Sequence, residues 1–285
     1  MVKELRDKVA VITGGAAGIG RAVAERLAAE GVRLVLADIE EPVLAATTAT
    51  LTDGGAQVIG VPTDVSEIDS VKELAEKALS EFGAVHIVCN NAGVAAGSAI
   101  DITIEEWRWL IGVNLWGVVH GCHVFVPLLR EQNEGHVVNT GSVAGIRGVG
   151  ALGSYCTSKF AVVGLSESIQ SELVASGSAV RVSVLCPGFV QTRIFESHRN
   201  MPATVGAARA AHGMVEPPIT GNPLAFGILP DQVADAVHDA IVSERFYILT
   251  HPDAAEAGMR DRLAWMTDGG IEPPATMEQS IIANW

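Results

Sequence analysis

Short apolar runs alternate with longer amphipathic stretches along most of the chain. Seven runs of strand length are rich in Val, Ile and Leu, and they cover residues 8–13, 32–37, 57–61, 85–89, 136–139, 180–185 and 246–250. The stretches between them follow helical spacing, most clearly over residues 19–30, 66–82, 105–130, 154–176 and 231–243. Strands that are apolar on both faces and separated by helices predict a parallel sheet covered on both sides. The pattern therefore predicts a doubly wound α/β fold.

Composition narrows the classes of protein to which the chain can belong. Its 285 residues are 48% hydrophobic and 18% charged, which excludes a disordered chain. The net charge of −14 would repel a nucleic acid backbone and an anionic membrane, so we expect neither as a partner. Four scattered cysteines without a Cys-x-x-Cys pair, and an N-terminus without an apolar signal segment, predict reduced thiols and a cytoplasmic location.

One stretch is free of charged residues. Residues 109–129 contain no Asp, Glu, Lys or Arg and are long enough to span a membrane. The polar Asn114, His120 and His123 within it favour instead a buried helix that also packs against another subunit. His120, Cys122 and His123 could suggest a metal site, but no further ligand lies nearby in the sequence, and we expect no metal.

A glycine-rich turn follows the first strand-like run. Residues 13–20 read Thr-Gly-Gly-Ala-Ala-Gly-Ile-Gly and lead into the first helical stretch. Glycines in such a turn let backbone N–H groups and a helix N-terminus approach a pyrophosphate. The spacing is not the Gly-x-Gly-x-x-Gly of dinucleotide sites, and a tight turn without a ligand would also explain it. Asp38, at the end of the second strand, could accept hydrogen bonds from an adenine-ribose diol or could be an exposed turn residue.

Tyr155 and Lys159 stand four residues apart, and on a helix they lie on the same face. An ammonium about 4 Å from a phenol would favour the phenolate by up to ~4 kcal/mol at an effective dielectric of ~20. Such an interaction would bring a phenol pKa from ~10 to about 7, which suits a base working near neutral pH. Ser142 could hydrogen-bond a reacting carbonyl oxygen, or it could be a turn serine. Asn114 would need a partner for its amide inside an apolar helix, so a purely structural role also stays open.

Four motifs together resemble the short-chain dehydrogenase/reductase family. They are the glycine turn, Asn-Asn-Ala-Gly at 90–93, Tyr-Cys-Thr-Ser-Lys at 155–159 and Pro-Gly-Phe-Val-Gln-Thr at 187–192. The resemblance covers about residues 5–250. It implies a Rossmann-like fold with a seven-stranded parallel sheet and helices on both faces. It also implies NAD as cofactor, and hydride transfer between NAD(H) and a secondary alcohol or ketone.

The resemblance implies a role for each matched residue. Tyr155 would be the general acid/base, and Lys159 would lower its pKa while binding the nicotinamide ribose. Ser142 would orient the substrate oxygen, and Asn114 would hold a water in a proton relay to Lys159. Besides Tyr155 and Lys159, the implied cofactor contacts are Gly14, Ala17, Gly18, Ile19, Asp38, Ile39, Asp64, Val65, Asn91, Ala92, Gly93, Pro187, Gly188, Val190 and Thr192.

The chain departs from the family pattern at His86, and two other functions are possible on the same fold. His86 stands where the family usually has Asp, and we expect it to have a packing role. An NADPH-dependent 3-ketoacyl-type reductase would favour basic residues at two positions that Ala17 and Ile39 occupy. A catalytically silent NAD-binding regulator could share the fold, but it would not need the four catalytic residues together.

Residues 191–225 interrupt the alternation of strands and helices. Segments of this length inside a compact domain are usually functional, and this one follows directly on Val190. We expect one catalytic domain over 1–253 with residues 191–225 as a substrate lid, and a C-terminal helix and tail over 254–285. The apolar lid residues are Ile194, Phe195, Met201, Val205, Met214, Val215, Pro217, Pro218, Ile219 and Leu224. They predict a bulky, mostly apolar small-molecule substrate of steroid or terpenoid size.

The charge-free helix also predicts self-association. It carries more apolar surface than one helix face needs, and exposed apolar patches mark association surfaces. The family commonly pairs this helix with its symmetry mate. We therefore expect a homotetramer or, failing that, a homodimer.

Overall fold

Seven parallel strands organise the chain, and the computed structural model describes residues 4–95, 97–213 and 224–269. The strands are β1 Val9–Thr13, β2 Arg33–Asp38, β3 Val58–Pro62, β4 Ile87–Asn90, β5 His136–Thr140, β6 Arg181–Cys186 and β7 Tyr247–Leu249. Their order across the sheet is β3-β2-β1-β4-β5-β6-β7, and each neighbouring pair is parallel. The predicted doubly wound, Rossmann-like α/β fold is confirmed, and each strand lies within two residues of its prediction.

Helices connect the strands on both sides of the sheet. They are α1 Gly18–Ala29, α2 Glu41–Asp53, α3 Ile68–Phe82, α4 Ile104–Ile111, α5 Gly117–Gln132, α6 Gly153–Ala175, α7 Ala203–Ala211, α8 Pro230–Ser243 and α9 Pro252–Asp268. The sequence pattern did not predict helix α2, because the apolar stripe of this helix is narrow. Of its thirteen residues only Leu44, Thr47 and Leu51 are buried.

Strand β1 shows why both faces of the sheet need cover. Its side chains alternate between two cores, so that Val9 and Val11 join one cluster while Ala10 and Ile12 join the other. All four are fully buried. Helices α1 and α8 close one core, and helices α3, α5 and α6 close the other.

The strand order places a crevice at the carboxyl ends of β1 and β4. The chain runs from β1 outward through β2 to β3 and then returns to β4 on the other side of β1. The connections leave these two neighbouring strands in opposite directions, so no helix covers the space beyond their ends. Ligands of open α/β sheets bind at such a switch point.

The charge-free stretch lies in a continuous helix over Ile104–Gln132 that contains a π-helical turn, Gly112–Trp116. The buried Asn114 sits in the middle of this turn. By length and composition alone the helix could cross a membrane, and 39% of its most apolar part is buried inside the monomer. Trp116 on its outer side is 51% exposed. The monomer therefore leaves much of an apolar helix uncovered.

The predicted lid is more regular than its composition indicated. A 3-10 helix over Ile194–Asn200 and helix α7 occupy much of its first part. Residues 214–223 lie outside the described residues, and with them Met214, Val215, Pro217, Pro218 and Ile219. Val205 and Leu224, on either side of that gap, are buried.

Two histidines are built into the sheet as hydrogen-bonding groups. The Nδ1 of His86 accepts the backbone N–H of Val9 at 3.1 Å, so His86 does more than the expected packing: it serves as the acceptor at the start of β1. The Nε2 of His136 donates to the hydroxyl of Ser183 at 2.7 Å, and that hydroxyl donates to the carbonyl of Arg245. Burial lowers the pKa of His136 to about 4 and also lowers the pKa of His86.

We expect the free energy of unfolding to fall as the pH is lowered from about 6.5 to about 4, because the unfolded chain then binds a proton that His136 in the folded chain does not. At about 1.36 kcal/mol per pKa unit, the loss from this residue is at most about 3 kcal/mol. Above pH ~6.5 both states carry a neutral ring, and this dependence disappears. Urea unfolding of the wild type and His136→Gln at pH 7 and pH 4.5 measures the difference. A loss as large in the variant as in the wild type would contradict the prediction.

Candidate active site

Two adjoining cavities open at the carboxyl edge of the sheet. The long cleft, of about 1340 Å³, runs from the glycine turn and the end of β2 to helix α6. The apolar cavity, of about 750 Å³, lies beyond the ends of β5 and β6. Residues lining both cavities are Ile19, Tyr155, Pro187, Thr192 and Ile194. The two spaces therefore meet at the Tyr155 side chain.

The structure brings the predicted site residues together around this junction. All the residues expected to contact a cofactor line the long cleft, except Gly188 and Val190, which line the apolar cavity. Ser142 lines the apolar cavity as well. Asn114 lines neither cavity, since its side chain is fully buried behind the cleft.

The glycine turn leaves the start of α1 open toward the long cleft. Gly14 and Gly18 have φ angles of +62° and +54°, a backbone conformation that favours glycine. A Cβ on Gly14 would fall 2.9 Å from the Cα of Ala92, so the two loops touch directly. No side chain caps the first turn of α1, and that turn has no acidic residue. Its N–H groups are therefore available to an anion.

Asp38 presents a carboxylate at the end of β2. One oxygen accepts the backbone N–H of Ala16, and the other accepts that of Glu40, both at 3.1 Å. The carboxylate is thereby held in one orientation while it lines the long cleft. It retains the lone pairs needed to accept two hydroxyl groups.

Thr13 holds the Asn-Asn-Ala-Gly loop, a role that the sequence did not reveal. Its hydroxyl donates to the carbonyl of Cys89 and accepts the N–H groups of Asn91 and Ala92 at 3.0 and 3.1 Å. The Asn91 amide returns hydrogen bonds to the carbonyls of Thr13 and Gly14. This network fixes the floor of the long cleft where β1 and β4 end.

Tyr155, Lys159 and Ser142 form the reactive cluster. The Nζ of Lys159 lies 5.6 Å from the centre of the Tyr155 ring and donates to the carbonyl of Thr140 at 2.8 Å. The Ser142 hydroxyl donates to the carbonyl of Pro187 at 3.4 Å, accepts the N–H of Ala144 at 3.1 Å, and lines the apolar cavity together with the Tyr155 phenol. Tyr155 is half-buried, while Lys159 and Ser142 are buried. A carbonyl oxygen in the apolar cavity could therefore meet two hydroxyl donors.

Burial dominates the proton affinities of this cluster. It raises the pKa of Tyr155 to about 12, against the opposing effect of the neighbouring Ser142 hydroxyl. It lowers the pKa of Lys159 to about 8. The lowered phenol pKa that the Tyr-Lys spacing predicted is thus wrong for the chain by itself, because desolvation of the hydroxyl raises the pKa and the Lys159 ammonium is turned toward the Thr140 carbonyl.

Asn114 is committed to protein partners. Its Oδ1 accepts the N–H of Val94 at 2.8 Å, and its Nδ2 donates to the Val94 carbonyl and the Ser158 hydroxyl at 2.9 and 3.1 Å. A Cβ on Gly93 would lie 3.4 Å from the Asn114 Oδ1 and 3.7 Å from the Lys159 Nζ. Asn114 is therefore a neighbour of Lys159, with its amide holding the loop at Val94. The water relay stays a prediction.

The apolar cavity has few polar groups in its wall. In the described part of the chain these are the side chains of Ser142, Tyr155 and Thr192, and no charged side chain lines it. Its apolar wall comes from Ile19, Ala95, Val143, Ala144, Val149, Leu152, Phe189, Val190, Ile194, Phe195 and Leu224, together with Pro187 and Gly188. Such a wall suits a ligand whose polar group is confined to the end near Tyr155.

Other residues of the long cleft escaped the sequence reasoning. Trp109 and Val113 line it. Their spacing of four on one helix face, beside Asn114, was the available signal. Glu40 and Arg199 also line the cleft, but 159 positions separate them in the chain.

No group of three or more His, Cys, Asp or Glu within residues 4–95, 97–213 and 224–269 is arranged to hold a metal ion. The Nδ1 of His120 lies 2.9 Å from the carbonyl of Val65, so this ring is engaged with the protein backbone.

Comparison with known proteins agrees with this geometry. The family model for short chain dehydrogenases matches residues 8–203. A 1-deoxy-11-beta-hydroxypentalenate dehydrogenase of Streptomyces avermitilis is 38% identical over 254 residues, which cover 88% of this chain and 87% of the relative. The CLA biosynthesis dehydrogenase/reductase of Lactiplantibacillus plantarum is 34% identical, covering 88% and 91%. A crystal structure of a short chain dehydrogenase/reductase from Burkholderia phymatum in complex with NAD is 41% identical, covers 96% of this chain and 99% of that one, and superposes with a TM-score of 0.85.

Proposed function

The chain belongs to the short-chain dehydrogenase/reductase family and is an oxidoreductase acting on hydroxyl groups; on this premise we propose NAD as its cofactor and a bulky, apolar secondary alcohol or ketone as its substrate. The observation that carries the proposal is the junction of the two cavities at Tyr155. One cavity has the donors and the carboxylate that a dinucleotide needs. The other is apolar except near the phenol.

The long cleft fits NAD along its whole length. The open N-terminus of α1 would hold the pyrophosphate, and Asp38 would hold the adenine ribose. Lys159 would reach the nicotinamide ribose from the other end of the cleft. By the same resemblance, Asp64 and Val65 would contact the adenine, and Val190 and Thr192 would contact the carboxamide. When bound, NAD supplies the hydride acceptor, and NADH supplies the hydride donor.

Tyr155 would transfer the proton. At neutral pH its raised pKa keeps the phenol protonated, so the hydroxyl is ready to donate to a carbonyl oxygen during reduction. Ser142 would orient the same oxygen with a second hydrogen bond. Lys159, with a pKa of about 8, is mostly protonated at neutral pH and would stabilise negative charge that develops on the phenol oxygen. Asn114 would support this arrangement from behind by holding Val94.

The substrate class follows from the wall of the apolar cavity and from the relatives. The wall is apolar along most of the cavity, and the described polar side chains in it are those of Ser142, Tyr155 and Thr192. The 1-deoxy-11-beta-hydroxypentalenate dehydrogenases among the relatives are named for a terpenoid alcohol. Both observations support a steroid-like or terpenoid-like secondary alcohol. The assembled Ser142, Tyr155 and Lys159 speak against a silent NAD-binding regulator.

A substrate panel tests the proposal. We expect NAD reduction, followed by absorbance, with bulky alicyclic secondary alcohols and little with small polar alcohols or sugars. Phe195→Ala removes an aromatic ring from the wall of the apolar cavity. The substitution should lower kcat/KM for the bulky alcohols by about tenfold, because the substrate loses apolar contact with the ring. The same variant should leave a small alcohol such as 2-butanol unaffected. Preference for small polar alcohols in the wild type would refute the proposed substrate class.

We also propose that the chain forms a homotetramer or, failing that, a homodimer. The uncovered apolar face of Ile104–Gln132 and the half-exposed Trp116 support this. Light scattering should give about four times the chain mass of 29.8 kDa, and Trp116→Glu should shift the mass downward. A monomer at micromolar concentration would contradict the assembly.

Domain limits and location are proposals of the same kind. A single catalytic domain over 1–253 is supported by β7, which ends at Leu249, and a lid over 191–225 by Ile194 and Phe195 in the cavity wall. Helix α9, Pro252–Asp268, supports the predicted C-terminal helix, and residues 270–285 of the predicted tail lie outside the described residues. The buried, unpaired state of the four cysteines is consistent with a reducing compartment such as the cytoplasm.

A further inference from the structure

Three side chains join the two walls of the long cleft at its outer end. The Nε and Nη2 of Arg199 donate to one oxygen of Glu40 at 3.0 and 2.7 Å, and the Nδ2 of Asn200 donates to the same oxygen at 3.0 Å. Glu40 follows β2, whereas Arg199 and Asn200 end the 3-10 helix on the substrate side. We call Glu40, Arg199 and Asn200 the clasp.

The clasp separates the long cleft from the molecular surface. Its three residues line the cleft, and they also line an open depression of about 960 Å³ on the outside of the protein. Asp38, the proposed partner of the adenine ribose, lies only two residues before Glu40. The clasp therefore stands at the adenosine end of the cleft.

Each half of the clasp is fixed to its own wall. The Nη1 of Arg199 donates to the carbonyls of Arg193 and Glu196 at 3.1 and 2.9 Å, which ties the guanidinium to its helix. The backbone N–H of Glu40 donates to the Asp38 carboxylate, which fixes the Glu40 backbone at the end of β2. The Arg199 and Glu40 side chains are 26% and 21% exposed, so water screens their attraction less than on an open surface. Their hydrogen bonds lower the pKa of Glu40, and the carboxylate stays charged.

We propose that the clasp closes the long cleft over the adenosine end of bound NAD and slows its dissociation, which makes Glu40 and Arg199 positioning residues for the cofactor. This inference rests on the proposed NAD-dependent function. Because the clasp lies between cleft and surface, release of the adenosine moiety in this direction requires the carboxylate and the guanidinium to part. Charge-assisted hydrogen bonds then contribute directly to the barrier for release.

The rate of NADH release tests the clasp without relying on turnover. NADH bound to the full-length enzyme is displaced by excess NAD in a stopped-flow instrument, and its fluorescence gives the dissociation rate. We expect Glu40→Gln and Arg199→Gln each to release NADH about five- to tenfold faster, because each substitution removes the charge assistance of the hydrogen bond but leaves a neutral polar side chain in place. In the double variant, release should be no faster than in the faster single variant, because both substitutions remove the same contact.

Glu244→Gln is the matched control. The Arg181–Glu244 pair also joins two segments, at 3.3 Å, and its side chains are 26% and 24% exposed, but neither residue lines the cleft. It should release NADH at the wild-type rate, and its melting temperature shows what loss of a half-buried ion pair does to stability alone.

Three results would each contradict either the proposed function or the clasp, and they can be told apart. If wild-type protein does not bind NADH, the proposed function fails. If the wild type binds NADH but Glu40→Gln releases it no faster than Glu244→Gln, the clasp fails and the function stands. Multiplicative effects of the two substitutions in the double variant would show that Glu40 and Arg199 act separately, which also overturns the clasp.

Discussion

Replacing Tyr155 by Phe should abolish turnover while leaving NADH binding nearly intact. The substitution removes the phenol hydroxyl of a residue that lines both cavities and leaves the ring in place. Loss of a positioned proton donor typically costs ~10²–10⁴-fold in rate. The Ser142 hydroxyl would remain, but the Lys159 ammonium, which would stabilise a developing negative charge, lies beside the Tyr155 ring. Steady-state kinetics and NADH fluorescence titration measure the two effects separately.

The chain provides a matched control in Tyr247, since it contains only two tyrosines. The Tyr247 hydroxyl hydrogen-bonds Glu167, and the residue lines neither cavity. Tyr247→Phe should retain wild-type kinetics. Activity of Tyr155→Phe within a factor of ten of this control, or a parallel loss of NADH binding, would remove Tyr155 from its proposed role.

The wild type should prefer NAD over NADP by about tenfold to a thousandfold. A 2′-phosphate about 4 Å from the Asp38 carboxylate would meet a repulsion of roughly 1–4 kcal/mol per unit charge, for effective dielectrics between 80 and 20. At about 1.4 kcal/mol per factor of ten, this repulsion corresponds to the expected preference. The carboxylate has little freedom to turn away, because Ala16 and Glu40 hold both of its oxygens. The ratio of kcat/KM for the two cofactors measures the preference.

Asp38→Asn isolates the charge from the shape of the side chain. The ratio should move toward equal use of both cofactors, mainly through better use of NADP. Asp69→Asn, at an exposed position on α3 that does not line the cleft, should leave the ratio unchanged. Comparable efficiency with NADP in the wild type, or an unchanged ratio in Asp38→Asn, would show that another group sets the preference.

Periodicity was sufficient for the fold because a parallel sheet covered on both faces demands apolar residues at every strand position. In β1, Val9, Ala10, Val11 and Ile12 are all buried, two on each face, and no other element type requires so short and so uniformly apolar a run. The glycine turn was equally readable, since Gly14 needs a positive φ and close approach to Ala92. Such local requirements restrict the residue types at these positions, so the sequence alone predicts them.

By itself, the sequence determined the positions of the strands along the chain, the residues of the glycine turn and the Tyr155–Lys159 pair. Each of these depends on neighbours within one element or one turn. Only the tertiary structure decided how the groups behave. Burial, which many distant residues create, raises the pKa of Tyr155 where helical spacing alone predicted a fall. The contact between Glu40 and Arg199 spans 159 positions, and no periodicity links residues that meet only because two loops close on the same cleft.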